Sequence, residues 1–589
     1  MNSAWQFQRP RTYRIYVIPY KRIEETTRSP SELPLQGVKV CYSFDTGKPE
    51  SVVLFSSRLV TTFPFRHIMQ KTGHGHDLYS SPVGRLFRHC RHQAVGLVAG
   101  LGLAMLAGGA CADEASAPMA ATAQQHCDVI VIGAGGSGLT SAVSAAEKGA
   151  KVIVVEKMPF IGGNTLLAAS FMLGVPPGNR TEAERLESDM LREGGKSADP
   201  TLLKSVVTQS SSVVDWLRGY GADLQRFCLT RDSNLQTSCR LNDDGSVSQR
   251  GLQPGNGGFI GEEIIKTLLN GIEQHRIPIQ THSFVHQITR DADGRVNGVI
   301  IENSAGEQRR LSAPAVVIAT GGFSANEDMI GHFANTTAGL QSTNSPAATG
   351  DGILMAEALG AETVDMDAVT VHPTTLPFSG LILPRQVRVQ GAILVNDDGR
   401  RFADELSPNL SDIIRQKSEG RAWLIFDQAL LDSMPVLAGY ARSGYFLRGK
   451  SDIDLARGLR VSPNVLHETI VRYRGFVELN KDGEFNRRIM TSRLDTPPLY
   501  AVSVRPGIHT TLGGLKIDDS SRVLGKTGPI PGLFAAGEVT GGVLGANRLE
   551  GSGLTAALVY GRIAGQAAAQ WAQQHTLPTS SDSKTSDGR

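Results

Sequence analysis

The chain has 589 residues, 40% hydrophobic and 20% charged, the balance of an ordinary globular protein. At about 150 residues per domain, this length allows two to four domains. A net charge of +2 is small for such a chain and gives no case for nucleic acid or an anionic membrane surface as partner.

The first legible element is at 85–112. Arg85, Arg88 and Arg91 precede an apolar run at 94–107 (AVGLVAGLGLAMLA), followed by GGACADEASA. A basic flank, a short apolar core and a small-residue exit describe a secretory signal peptide, here assigned to 69–112. The run is shorter than the ~20 residues of a membrane span. A periplasmic location is therefore expected. Because 84 residues precede Arg85, the reading takes Met69 as the start and 1–68 as an upstream extension. A genuine N-terminal domain is the alternative.

From Asp128 the text changes to alternating strands and helices. DVIVI (128–132) is a continuous apolar run, as a parallel strand buried on both faces requires. GAGGSG (133–138) follows, then a helix at 139–149 and a second strand at 151–156 (KVIVVE). Further apolar strands are expected at 315–319 and 532–536, and a last helix at 553–573. The Ser/Asp/Lys-rich tail at 576–589 has the composition of a disordered segment.

The glycines Gly133, Gly135 and Gly138 come between a strand and a helix, and Glu156 ends the next strand. This is a dinucleotide fingerprint: glycines let the backbone approach a pyrophosphate at a helix N-terminus, and the acid binds ribose hydroxyls. Six cysteines (Cys41, Cys90, Cys111, Cys127, Cys228, Cys239) form no C-x-x-C pair and no C-x-x-C-H. That removes a c-type haem attachment site and argues against zinc or an iron–sulfur cluster, so no metal is expected. Cys228 and Cys239 are either a disulfide of an exported protein or two buried thiols.

GGNT (162–165), ATGGFSAN (319–326), TGDG (349–352) and GLFAAGEVTGG (532–542) together resemble the fumarate reductase/succinate dehydrogenase flavoprotein superfamily. The resemblance implies FAD. It also implies that Asn164, Thr165, Asp351 and Glu538 contact the cofactor and that the Gly553–Leu554 backbone faces the flavin pyrimidine. GGNTLLAAS (162–170) lacks the histidine of the covalent-flavin members, which implies non-covalent FAD.

Three further blocks, 371–405, 507–514 and 545–554, resemble the soluble flavocytochrome c fumarate reductases and their urocanate-type relatives. The likeness spans about 126–575. It implies an α/β, Rossmann-like FAD-binding domain at 126–364 and 510–575, with an inserted α+β capping domain at 365–509. The family's substrate binders fall on His372, Arg388, His509 and Arg548. Cations of this kind suit hydride addition to an alkene beside a carboxylate, because they stabilise the negative charge that develops. Arginine also grips a carboxylate bidentately.

Two positions depart from the family. Arg385 stands where a relay glutamate is expected, and Asn409 where the family's proton-donating arginine is expected. Asparagine cannot act as a general acid. Arg415, Tyr440 and Tyr445 are the other candidate donors. The expected activity is reduction of an α,β-unsaturated acid, with electrons from a separate cytochrome or quinol-linked partner. A dehydrogenase of a saturated acid or ketosteroid, and a non-catalytic electron-transfer flavoprotein, are the alternatives.

Overall fold

The computed structural model describes residues 125–228, 238–241 and 247–577, together with the backbone of four strands within 16–64. The expected signal peptide, Met69 and the tail from 578 lie outside the described residues. The chain divides into two units, Met1–Met119 and Ala120–Arg589. In the first, strands Tyr16–Val17, Lys39–Asp45, Lys48–Ser56 and Leu59–Pro64 pair antiparallel in sequence order. The sequence shows no periodicity that announces this sheet.

In the second unit the elements that matter are, in chain order, β1 (Val129–Ile132), α1 (Gly136–Glu147), β2 (Val152–Val155), α2 (Ile260–Gln274), β3 (Ile279–Gln280), β4 (Ala315–Ile318) and α3 (Asp351–Glu357). Then come β5 (Val369–Thr375), α4 (Arg385–Val389), β6 (Ile393–Val395), α5 (Leu410–Lys417), β7 (Ala422–Asp427), β8 (Leu447–Gly449) and β9 (Leu499–Thr511). The chain ends with β10 (Arg522–Gly525), β11 (Gly528–Ala535) and α6 (Ser552–Gln574). No described helix is long and apolar enough to cross a membrane.

The six-stranded sheet runs β3-β2-β1-β4-β11-β10, parallel except for the β10–β11 hairpin. Every residue of β1 (VIVI), β2 (VIVV) and β4 (AVVI) is buried, because the sheet is covered by helices α1 and α6 and by the antiparallel strands Ser283–Arg290 and Val296–Asn303. Helix α6 lies directly on α1: a Cβ at Gly565 would stand 2.2 Å from the Ser141 carbonyl oxygen. Helix α1 starts at Gly136, before the expected 139, because Gly136 and Gly138 already form its first turn. Strand β11 starts at Gly528 rather than 532. Its two prolines sit where it pairs with the edge strand, so their missing N–H groups cost little.

Residues 369–511 build a second sheet, ordered β5-β9-β7-β6 with β8 also on β9, and antiparallel throughout. Both faces are apolar, and the period of two assigns them. Leu424, Phe426, Val502 and Val504 join one cluster, whereas Ile425, Leu499 and Ala501 join the other. Strand β9 links the two sheets. Its first half pairs with β7, and its second half pairs with β5 and leads to Ile508 in the main core. Cys228 and Cys239 are joined as a disulfide, so of the two sequence readings the bonded one holds.

Candidate active site

A single cavity of about 790 Å³ runs from the glycine turn after β1 to the cationic face of α4. At its first end the three glycines have separate reasons to be glycine. Gly133 has φ +105°, and a Cβ there would meet the Ala319 carbonyl oxygen at 2.4 Å. A Cβ on Gly138 would strike the Gly133 carbonyl oxygen at 2.0 Å, so this residue sets how closely α1 approaches β1. At Gly135 a Cβ meets nothing within 4 Å, because the residue opens onto the cavity.

Glu156 spans this turn. Its Oε2 accepts from the Ala134 N–H and its Oε1 from the Met158 N–H, both at 2.8 Å. Each oxygen keeps a further lone pair for a hydroxyl. Thr165 Oγ1 accepts the Gly136 N–H at 3.1 Å and so pins the start of α1. Asp351 pairs with Lys157 Nζ at 2.6 Å, a partner that the motif reading missed. Asn164 donates to Glu538 Oε2 at 3.2 Å, and Glu538 Oε1 accepts the Thr511 N–H at 3.0 Å. Gly553 and Leu554, in the first turn of α6, close this side.

At the other end the structure brings His372 on β5, Arg385 and Arg388 on α4, His509 on β9 and Arg548 around the same cavity. His372 Nδ1 accepts the Thr374 N–H at 3.2 Å. Burial, then Arg388 and His509, hold this imidazole well below its ordinary value. It is therefore neutral at pH 7 with its proton on Nε2, a hydrogen-bond donor. Burial, with Arg548 adding to it, pushes His509 down to about 3, and its Nδ1 lies 3.1 Å from Thr343 Oγ1. The two rings meet edge to face, 5.7 Å apart.

Arg388 is 4% exposed. Its Nη1 donates to the Glu405 carbonyl oxygen at 2.7 Å, while its Nε is buried without a partner. Burial and the neighbouring Arg385 lower the guanidinium to about 9, so it is still a cation at neutral pH. Arg548 donates to Thr510 Oγ1 at 3.0 Å, and its Nε is likewise unpartnered. Behind Arg388 is a buried ionic knot. Glu405 accepts from Arg401 and Arg487, each at 2.9 Å, and Arg401 also meets Asp482 at 3.0 Å. Arg487 donates to the Arg388 carbonyl oxygen and so ties the knot to α4. The sequence offered little sign of this knot, because Arg487 and Glu405 lie 82 residues apart.

The candidate proton donors are corrected by the fold. Asn409 is exposed and does not line the cavity, because α5 turns its Leu410 and Ile414 into the core of the second sheet. Arg415 is out on the same helix, 3.6 Å from Asp412. Tyr440 gives its hydroxyl proton to the Ile382 carbonyl oxygen, Tyr445 is exposed, and neither lines the cavity. Asn409→Arg is therefore expected to leave fumarate turnover unchanged within about twofold in a viologen-coupled assay. A large gain would mean that this segment folds inward during the reaction.

Residues 128–554 match the family described as FAD binding domain. The chain belongs to this FAD-binding family. It is an FAD-dependent oxidoreductase. A fumarate reductase (cytochrome) from Shewanella frigidimarina is 33% identical over 78% of this chain and 80% of its own length. A urocanate reductase from Eggerthella lenta is 30% identical over 75% of this chain and 74% of its own. Among solved structures, the open conformation of a flavocytochrome c3 fumarate reductase aligns with TM-score 0.66 and 35% identity, over 76% of this chain and 79% of that one.

The residues present fit FAD. Gly135 leaves open the space that a pyrophosphate needs beside the start of α1. Glu156, locked by two backbone amides, offers its remaining lone pairs beside that space. The cavity also continues past the cradle to the cationic end, where a substrate can lie next to a flavin.

Proposed function

We propose that this protein reduces the C=C bond of a small α,β-unsaturated carboxylic acid. The observation that carries the reading is the cluster of Arg388, Arg548 and two neutral histidines in the cavity that begins at the flavin cradle. Gly133, Gly135, Gly138 and Glu156 would hold the adenosine and pyrophosphate. Asn164, Thr165, Asp351, Glu538, Gly553 and Leu554 would line the rest of the cofactor. The chemistry supplied by bound, reduced FAD is hydride transfer to one alkene carbon.

Arg388 and Arg548 grip the substrate carboxylate, each with a buried Nε still free to donate. His372 donates through Nε2 to the oxygen on which negative charge grows. A neutral histidine polarises that oxygen without adding a third buried positive charge. A neutral ketosteroid would leave the buried Nε of both guanidiniums without the carboxylate acceptor, which disfavours it as the substrate. The cap sheet, from which β9 and α4 present their residues, shields the reaction from water.

Export to the periplasm completes the reading. It is supported by the basic-flanked apolar run at 94–107 and by the Cys228–Cys239 disulfide, since such bonds persist in oxidising compartments. Electrons would come from a separate cytochrome or quinol-linked protein.

The test is oxidation of reduced methyl viologen by the FAD-loaded protein against fumarate, urocanate, cinnamates, acrylate and crotonate. Turnover with at least one is expected. A reducible flavin that is silent across the panel overturns the reading.

The histidines also predict a pH profile. Both lie below their ordinary value of 6.5, so neither changes charge above that pH. Carboxylate affinity is expected to stay flat from about pH 7 to 8. It should then weaken as Arg388 loses its proton near about 9. Flavin difference spectra with succinate would check this. A tenfold loss between pH 6 and 7 would assign the binding charge to a histidine instead.

A further inference from the structure

Saturating a C=C bond requires a proton as well as a hydride. His372 and His509 are neutral, and a neutral imidazole N–H donates hydrogen bonds without being an acid in the working range. Tyr560 also lines the cavity, but it gives its hydroxyl proton to the Leu202 carbonyl oxygen.

Five carboxyl groups line the cavity: Glu156, Glu193, Asp351, Glu538 and Glu550. Four already accept hydrogen bonds from the protein: Glu156 from backbone amides, Glu193 from Asn547, Asp351 from Lys157, and Glu538 from Asn164 and Thr511. Donors of this kind favour the ionised form, although burial still holds Glu538 above its ordinary value. Glu550 is different: its Oε2 is buried and has no partner at all. In sequence it falls between Arg548 and Gly553–Leu554, and like them it lines the cavity.

We propose that Glu550 is the catalytic acid, giving its carboxyl proton to the alkene carbon next to the one that receives hydride. The π bond breaks and two C–H bonds form. The substrate takes two electrons with the hydride from reduced FAD and one proton from Glu550. The acid is left as a carboxylate and regains its proton from solvent. The groups acting on it are Arg385 and Arg388 from α4 and Arg548 from its own loop. Burial holds the carboxyl above its ordinary value, while these guanidiniums pull it back. The transfer requires the acid form beforehand, and the carboxylate has these counter-charges after it. Arg385 and Glu550 so invert the expected pair, with a cation at the relay glutamate's position and a carboxyl across the cavity.

This inference rests on the proposed reduction of an unsaturated acid, and the tests separate the two. Glu550→Gln, loaded with FAD, is expected to keep its flavin and to bind succinate within about threefold of wild type, while turnover falls roughly a thousandfold. In infrared difference spectra at neutral pH, the wild type should show the C=O stretch of a protonated carboxyl, shifted in D₂O and absent from Glu550→Gln. If the glutamine variant loses its flavin, Glu550→Asp and the wild-type band decide. Turnover of Glu550→Gln within about tenfold of wild type, or a wild-type spectrum without the band, overturns the proposal. A wild type silent on every acid defeats the functional reading, while the band still reports whether Glu550 holds a proton.

Discussion

Arg388→Met is expected to lower kcat/KM for the preferred acid by roughly a thousandfold, while flavin content stays at the wild-type level. The guanidinium is 4% exposed and has a buried Nε with no protein partner, so the substrate carboxylate is the acceptor it is placed to meet. Removing one partner of a buried, hydrogen-bonded charge pair costs about 4 kcal/mol, which corresponds to that thousandfold. Much of the loss should appear in KM, because binding of the ground state also uses the pair. Arg388→Lys should recover little, since an ammonium cannot match a carboxylate bidentately. Steady-state kinetics on both variants decide the matter. A loss under tenfold for methionine would move the carboxylate grip to Arg548 and Arg385.

Glu405→Ala should be the most destabilising single change within residues 369–511. Glu405 is fully buried between Arg401 and Arg487, and its removal leaves two guanidiniums without their shared anion. Breaking a buried ionic cluster from one side costs about 3–5 kcal/mol. Denaturant unfolding of the FAD-loaded protein measures it, and a change under about 1 kcal/mol would refute the assignment. The pH dependence has a definite sign. Arg487 and Arg401 outweigh burial and hold the Glu405 carboxyl below its ordinary 4.5. A depressed carboxyl stabilises the fold above the unfolded value, so this contribution is full above pH 4.5 and is lost as the pH falls toward the folded value. The alanine variant should therefore approach wild-type stability as the medium becomes acidic. It should also bind carboxylate more weakly, because the Glu405 carboxylate holds Arg487, which donates to the Arg388 carbonyl oxygen.

Short-range pattern determined the cofactor half of this protein. An apolar run, a glycine turn and an acid at the end of the next strand are neighbours in the text because they are neighbours on one βαβ unit. Gly133, Gly135, Gly138 and Glu156 are therefore readable without a fold. His372, Arg388, His509 and Arg548 were legible by resemblance alone. No local pattern joins residues on β5, α4, β9 and a loop, and only the sheet linked through β9 brings them to one cavity.

Tertiary structure alone decided three things. It turned Asn409 outward, because a helix orients each residue by which of its neighbours must be buried, and Leu410 and Ile414 took the inner face. It assembled Glu405, Arg401, Arg487 and Asp482 from distant segments, since a buried charge is tolerable only where opposite charges converge. It left Glu550 with an unpartnered oxygen in the cavity, a property that depends on what surrounds a side chain and is written at no position in the sequence.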